Sequence, residues 1–126
     1  KEYRLHHHKL KYVKEYCKLN NLNKLIFDTE KPRIGIISTG KSFLDTKLGL
    51  EKIGINKEVA NKIGIKFLKI AMPWPLEETV IEKFVENLDK IIVVEEKRSI
   101  IETQVKEILF NKNLKVKIIG KKQHDK

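Results

Sequence analysis

The 126-residue chain is expected to adopt an α/β fold, a three-layer α/β/α sandwich built on a mainly parallel sheet. Three observations predict this. Short runs rich in isoleucine and valine (Arg33–Ser38, Ile65–Ala71, Lys90–Glu95) alternate with segments whose apolar residues recur every three or four positions. The connections between them are short, which favours strands joined by helical crossovers. Glycine, proline or a capping residue stands at most boundaries. A chain of this length fits one domain and can bury a real core.

Each element has its own warrant. Lys9–Asn21 reads as a helix, with Leu10, Val13, Tyr16 and Cys17 on one stripe. Lys24–Asp28 is a short strand or an extended arm, ended by Thr29-Glu30-Lys31-Pro32. Arg33–Ser38 is the first firm strand, and it turns at Thr39-Gly40 into a helix over Ser42–Ile53 with Leu44, Leu48 and Ile53 inward and Gly54 as its stop. Asn56 caps a small helix over Lys57–Ile63, which Gly64 ends. After the strand Ile65–Ala71, the two prolines of Met72-Pro73-Trp74-Pro75-Leu76 impose a loop. Glu77–Leu88 is a helix with acidic residues facing its N-terminal dipole. Lys90–Glu95 is apolar on both faces and is expected to be the central strand. Ser99 caps a helix over Ile100–Phe110 with Glu102 in the capping-box position, and Lys115–Ile119 is the last strand. The expected organisation is a lead-in helix and connecting arm over 1–32, the α/β domain over 33–120, and a basic tail or linker start over 121–126.

Composition narrows the function classes. The net charge is +10, from 27 basic and 17 acidic residues, yet only Arg4, Arg33 and Arg98 are arginine. Bidentate reading of phosphates and bases leans on arginine, and here the lysines are interleaved with acids, so no specific nucleic-acid partner is expected. The lysine-rich ends favour at most weak, salt-sensitive contact with any polyanion. Cys17 is the only cysteine, which excludes an internal disulfide, a four-cysteine zinc site and a self-contained iron–sulfur cluster, and fits a cytoplasmic compartment. No run approaches the roughly 20 apolar residues of a membrane span, so no membrane partner is expected. The start at Lys1 and the single Met72 imply a piece of a longer protein.

The richest stretch is Gly35-Ile36-Ile37-Ser38-Thr39-Gly40-Lys41-Ser42. It spells the phosphate-loop pattern G-x-x-x-x-G-K-[ST], which would make the chain a small nucleotide-binding protein using Gly35–Ser42. The context argues against that. Two of the four loop positions are β-branched isoleucines, which favour extended backbone, and only Ile34 precedes Gly35 as potential strand. A strand, a tight turn and a helix N-terminus is the better geometry, and it still leaves Ser38, Thr39, Gly40, Lys41 and Ser42 as candidates for anion or cofactor contact.

Four ordered blocks then carry a resemblance. They are Gly35–Asp45 with Ile53-Gly54-Ile55, Lys69–Glu77, Ile92–Arg98 with Ile101-Glu102 and Gln104–Glu107, and Ile118–Lys122. Together they resemble the middle of the indolepyruvate:ferredoxin oxidoreductases, over about residues 10–122. The resemblance implies a fold like the transketolase C-terminal domain, lying between the pyrimidine-binding and diphosphate-binding domains of a larger enzyme. It implies a parent that uses thiamine diphosphate, magnesium and 4Fe–4S clusters to oxidise aryl or related 2-oxoacids. That parent would pass electrons to ferredoxin and form the acyl-CoA thioester. The family's magnesium-diphosphate signature is absent from the sequence, so no catalytic residue and no metal is assigned within it. The implied role is architectural: docking against neighbouring domains, with a CoA contact as an expectation, and no turnover alone.

Single residues carry both bland and sharp readings. His6-His7-His8 are adjacent and cannot converge as an i, i+4 pair would, so a solvated segment is expected rather than a metal site. Cys17 is expected in the core. Glu95-Glu96 are read as loop acids near Lys97 and Arg98, with a paired-carboxylate role as the alternative. Trp74 is either a plug under the next helix or an interface anchor, and it joins Glu95, Glu96, Lys97 and Arg98 as the interface candidates. Lys41 and Asp45 stand at i, i+4 and are expected to pair.

Overall fold

The computed structural model describes residues 2–19, 22–96 and 98–121, without the side chains of residues 2–8, 17 and 19. The readings placed on His6, His7, His8, Cys17, Lys97 and residues 122–126 therefore lie outside the described residues. The elements are α1 (Glu2–Leu19), β1 (Lys24–Phe27), β2 (Ile34–Thr39), α2 (Gly40–Lys52), α3 (Lys57–Ile63), β3 (Ile65–Ile70), α4 (Glu78–Phe84), β4 (Lys90–Val94), α5 (Ile100–Asn111) and β5 (Lys117–Ile119). Five strands form one sheet in the order β1-β3-β2-β4-β5. β2, β3, β4 and β5 are parallel, and β1 runs antiparallel along β3. The segment Lys24–Phe27 is thus a strand of the sheet rather than a free arm.

Strand parity divides the core in two, because successive side chains of a strand point to opposite faces. Ile37, Leu68, Ile70, Ile91, Val93 and Ile118 face α4 and α5, where Ile81, Phe84, Ile101 and Val105 meet them. Ile36, Phe67, Ile65 and Phe27 face α2 and α3, and Phe43 and Ala60 close that side. The result is the three-layer sandwich with a mainly parallel sheet that the sequence predicts. α1 is tied to this body by an ion pair between Lys14 and Glu78.

Gly35 shows how closely the layers approach. It lies in the middle of β2, paired with Lys66 on one side and Ile91 on the other. A Cβ there would stand 2.7 Å from Leu88 Cδ1 and 2.7 Å from Phe84 Cε2, so the missing side chain is the notch into which α4 and its following turn settle. That turn is left-handed at Asn87 (φ 63°), which ends α4 at Phe84, short of the expected Leu88, and returns Leu88 to the sheet.

Several boundaries and one face differ from expectation. α1 begins at Glu2 and α2 at Gly40, earlier than Lys9 and Ser42. α2 presents Ser42, Phe43 and, in part, Leu50 to the sheet, whereas Leu44 (57% exposed), Leu48 (55%) and Ile53 point outward. Both faces of this helix carry large apolar residues, so spacing alone could not choose between them. The phase is set by Gly40, whose positive φ (58°) turns the chain out of β2 directly into the first helical residue. β4 lies inside the sheet, though the centre is β2. Its Ile91 and Val93 are buried, whereas Ile92 and Val94 are half-buried on the α2 face, where α2 packs more on β2 than on β4. Finally, Ser99 makes no side-chain cap on α5. No helix among the described residues is long and apolar enough to cross a membrane.

The notch at Gly35 is testable against a control in the same chain. Gly35→Ala forces Phe84 and Leu88 off the sheet and is expected to cost about 1–3 kcal/mol in chemical denaturation. Gly49→Ala, in open space on α2, is expected to gain about 0.5–1 kcal/mol. Equal midpoints for the two variants would contradict the notch.

Candidate functional site

In a parallel sheet, the loops leaving the strands gather at one edge, and here β2, β3 and β4 send theirs to the same side. β2 leads into α2 on one face of the sheet and β4 into α5 on the other. The chain runs from β2 outward to β3, then returns past β2 to β4. That reversal falls between the loop after β2 and the loop after β4, the kind of switch point where open α/β sheets take ligands and partners. The structure puts Ser38–Ser42 and Glu95–Arg98 on either side of it and Met72–Leu76 beside them, apart from Lys97, which is not described.

The edge is held by side chains that satisfy backbone groups. Glu95 leaves the end of β4 and accepts from the backbone N–H groups of Ile101 and Glu102 at 2.9 Å each, so it caps α5 in place of Ser99. A carboxylate at a helix N-terminus meets both unpaired donors and the positive end of the dipole, typically worth about 0.5–2 kcal/mol. Glu77 does the same for α4, accepting from the N–H groups of Thr79 (3.1 Å) and Val80 (2.8 Å) and from the Thr79 hydroxyl. Gln104 fixes the proline loop from both ends. Its Oε1 accepts from Leu76 N–H at 2.8 Å, and its Nε2 donates to the carbonyls of Pro73 (2.5 Å) and Ile100 (3.1 Å). The Trp74–Pro75 bond within this loop is cis. Thr39 closes the opposite side, its hydroxyl donating to Ile70 O at 2.5 Å.

These bonds decide what each candidate is free to do. Thr39 is spent on β3, and Ser42 is buried against the sheet. The Ser38 hydroxyl is fully buried and has no hydrogen-bond partner. Gly40 and Lys41 open the first turn of α2, and among the described residues no ion pair joins Lys41 to the Asp45 expected beside it. Glu95 is a structural cap, which removes it from any paired-carboxylate chemistry with Glu96. Glu96 and Arg98 are exposed, Trp74 is 53% exposed, and Ile100, whose carbonyl the Gln104 amide also holds, is 38% exposed. The nominal phosphate loop has no loop in it: Gly35 to Ser38 is strand paired on both sides and Thr39 still pairs with β3, leaving no curl of N–H groups to wrap a phosphate. Among the described residues no group of three or more His, Cys, Asp or Glu side chains is placed to hold a metal.

Three residues escaped the sequence reading. Gln104 had a signal, being a polar residue on the stripe Ile101-Val105-Ile108 that faces the core. Glu77 was read as part of the first turn of α4 rather than as its cap. Glu102 was assigned to a capping box but is fully buried, with its carboxylate 2.7 Å from Lys106 Nζ one turn on. Nothing local to the sequence around Glu77 and Glu102 distinguishes such roles.

Comparison with known proteins agrees with this frame. A family model for the indolepyruvate oxidoreductase domain matches residues 24–126. The chain is 34% identical over 92 residues to the indolepyruvate oxidoreductase subunit IorA of Pyrococcus horikoshii, covering 73% of this chain and 13% of that one. It is 34% identical over 98 residues to the Archaeoglobus fulgidus subunit, covering 78% and 14%. With the Methanothermobacter marburgensis subunit the identity is 26% over 113 residues, covering 90% and 17%. The chain thus spans less than a fifth of the length of these relatives. Among solved structures, a split-gene transketolase described as an inactive β4 tetramer superposes with a TM-score of 0.54 at 16% identity, covering 78% of this chain and 31% of that one. That likeness shows the fold, transketolase C-terminal-like. By the family match across its sheet and helices, this chain belongs to the indolepyruvate oxidoreductase domain family.

Proposed function

We propose that the chain is the middle, non-catalytic domain of a thiamine diphosphate-dependent aryl 2-oxoacid:ferredoxin oxidoreductase, and that it serves to assemble the domains around it. The observation that carries this is how the edge is spent. Glu95, Glu77, Gln104 and Thr39 all use their polar atoms to lock their own loops, so the groups that catalysis would need are committed to rigidity. What that rigidity presents is Trp74, Ile100 and Arg98, the kind of aromatic and guanidinium surface that anchors a protein interface. Support for the larger setting comes from the family match and from relatives several times longer than this chain.

On this reading, thiamine diphosphate, magnesium and the 4Fe–4S clusters belong to neighbouring parts of the parent, and ferredoxin accepts the electrons there. This domain supplies a fixed platform. A contact from Gly40 and Lys41 to a phosphate of CoA is the one direct cofactor role their position allows, since the first turn of α2 carries no acidic residue.

The chain by itself is expected to unfold in one cooperative thermal transition. It should give no reduction of a viologen dye when supplied with indolepyruvate, thiamine diphosphate and CoA. Turnover by the 126-residue chain would sink the non-catalytic assignment. Calorimetry with Mg-ATP and Mg-GTP is expected to show nothing tighter than about millimolar. A micromolar constant abolished by Lys41→Ala would restore the nucleotide reading. In the whole parent enzyme, Trp74→Ala and Arg98→Ala are each expected to weaken assembly by about 1–3 kcal/mol, read as a lower concentration midpoint for dissociation in denaturant. Wild-type assembly in both variants would leave this edge without a docking role.

A further inference from the structure

β3 and β4 are not neighbours, since β2 stands between them, yet the loops that leave their ends are joined. The join is a single side chain. Gln104 lies on α5, one turn after Ile100, and reaches both ends of the Trp74-Pro75 pair. Its Oε1 accepts from Leu76 N–H at 2.8 Å and its Nε2 donates to Pro73 O at 2.5 Å, so the residue before Trp74 and the residue after Pro75 are both held. The same Nε2 donates to Ile100 O at 3.1 Å, in the first turn of α5. That turn is fixed in its own right to the end of β4, through the Glu95 carboxylate and the N–H groups of Ile101 and Glu102.

Gln104 therefore completes a line of bonds from β4 through α5 to the proline loop. Few side chains could replace it there. A carboxylate accepts but does not donate when ionised, an ammonium donates but does not accept, and an aliphatic tip does neither. Only an amide offers an acceptor and donors at one tip, and the half-buried Gln104 uses both.

We propose that Gln104 is a positioning residue for the docking edge, holding Trp74 and the Arg98–Ile100 segment as one preformed surface. The inference rests on the docking role proposed above and adds the residue that sets its strength. A surface whose two halves are already fixed relative to each other loses little freedom when a partner lands on it. Two loops that move separately must each be ordered at that moment, at the expense of affinity. Loss of the brace thus weakens assembly through Trp74 while leaving every anchor in the sequence.

The test has two arms. Trp74 is the only tryptophan, so 5-fluorotryptophan puts a single 19F reporter on the proline loop of the 126-residue chain. Gln104→Met, close in length but without either polar atom, is expected to shift that resonance and to narrow it as the loop gains motion. Ile108→Val, which trims the buried face of the same helix, should leave the resonance unchanged. In the whole parent enzyme, Gln104→Met is expected to lower the assembly constant about tenfold, but no more than about twofold when Trp74→Ala is already present, because both changes remove the same interaction. If Gln104→Met does not fold, Gln104→Glu gives the same two readings, since it keeps the bond from Leu76 N–H and loses both donated bonds. The proposal is overturned by a 19F signal that Gln104→Met leaves unchanged, or that Ile108→Val alters in the same way. An assembly loss of equal size with and without Trp74→Ala overturns it too. If Trp74→Ala weakens assembly and Gln104→Met does not, this inference alone fails. If Trp74→Ala leaves assembly intact, the docking role fails and the inference falls with it.

Discussion

The structure depends on β2 being paired on both sides while carrying a residue with no side chain at its middle. Backbone hydrogen bonds from both edges of β2 fix β3 and β4 in register, and the remaining strands are placed through those two. Gly35 lets Phe84 and Leu88 sit against the strand itself rather than on a layer of side chains. The register with β3 and β4 runs unbroken through Gly35, and the space left by its missing side chain is taken up by Phe84 and Leu88. α4 and its left-handed turn are short because they descend into that notch, and the chain then re-enters the sheet where Asp89 N–H meets Arg33 O at 2.8 Å.

Once the sheet is fixed, loop chemistry decides what the edge offers. Each of the loops after β3 and β4 is anchored by one polar side chain that reaches several backbone groups. A carboxylate or amide satisfying two or three buried donors and acceptors is difficult to replace, because each group left unmet would bear the full cost of desolvation. The edge is consequently stiff, and a stiff edge suits mating with another surface better than closing over a substrate.

Strand and helix order, the two-sided sheet and the loop at the prolines were all legible in the sequence, because apolar period and punctuation are local signals. Asn56 and Gly64, which bracket α3, were read correctly for the same reason. The inward face of α2 was not legible. Phe43 and Leu50 compete there with Leu44 and Leu48, and only the turn at Gly40 chooses between them. The cap on α5 was hidden because Ser99 has the right identity and position while Glu95, at the end of the preceding strand, has the reach and the charge. At the candidate site, the sequence placed the segments on one edge of the sheet. It did not show that Thr39, Glu95 and Gln104 are consumed in holding them there, since those bonds join residues 6 to 31 positions apart.

The antiparallel β1 has a consequence for the order in which the molecule takes shape. It comes before every other strand in the chain, yet its only partner is β3, so it has nothing to pair with until residues 65–70 exist. On a ribosome β1 would emerge before its partner and wait, its lysine and apolar residues in water, while β2, α2 and α3 form behind it. The margin of the sheet beside β3 is therefore closed by a segment that precedes β2 in the chain. Loop-closure entropy makes such a return slow compared with the local steps around it.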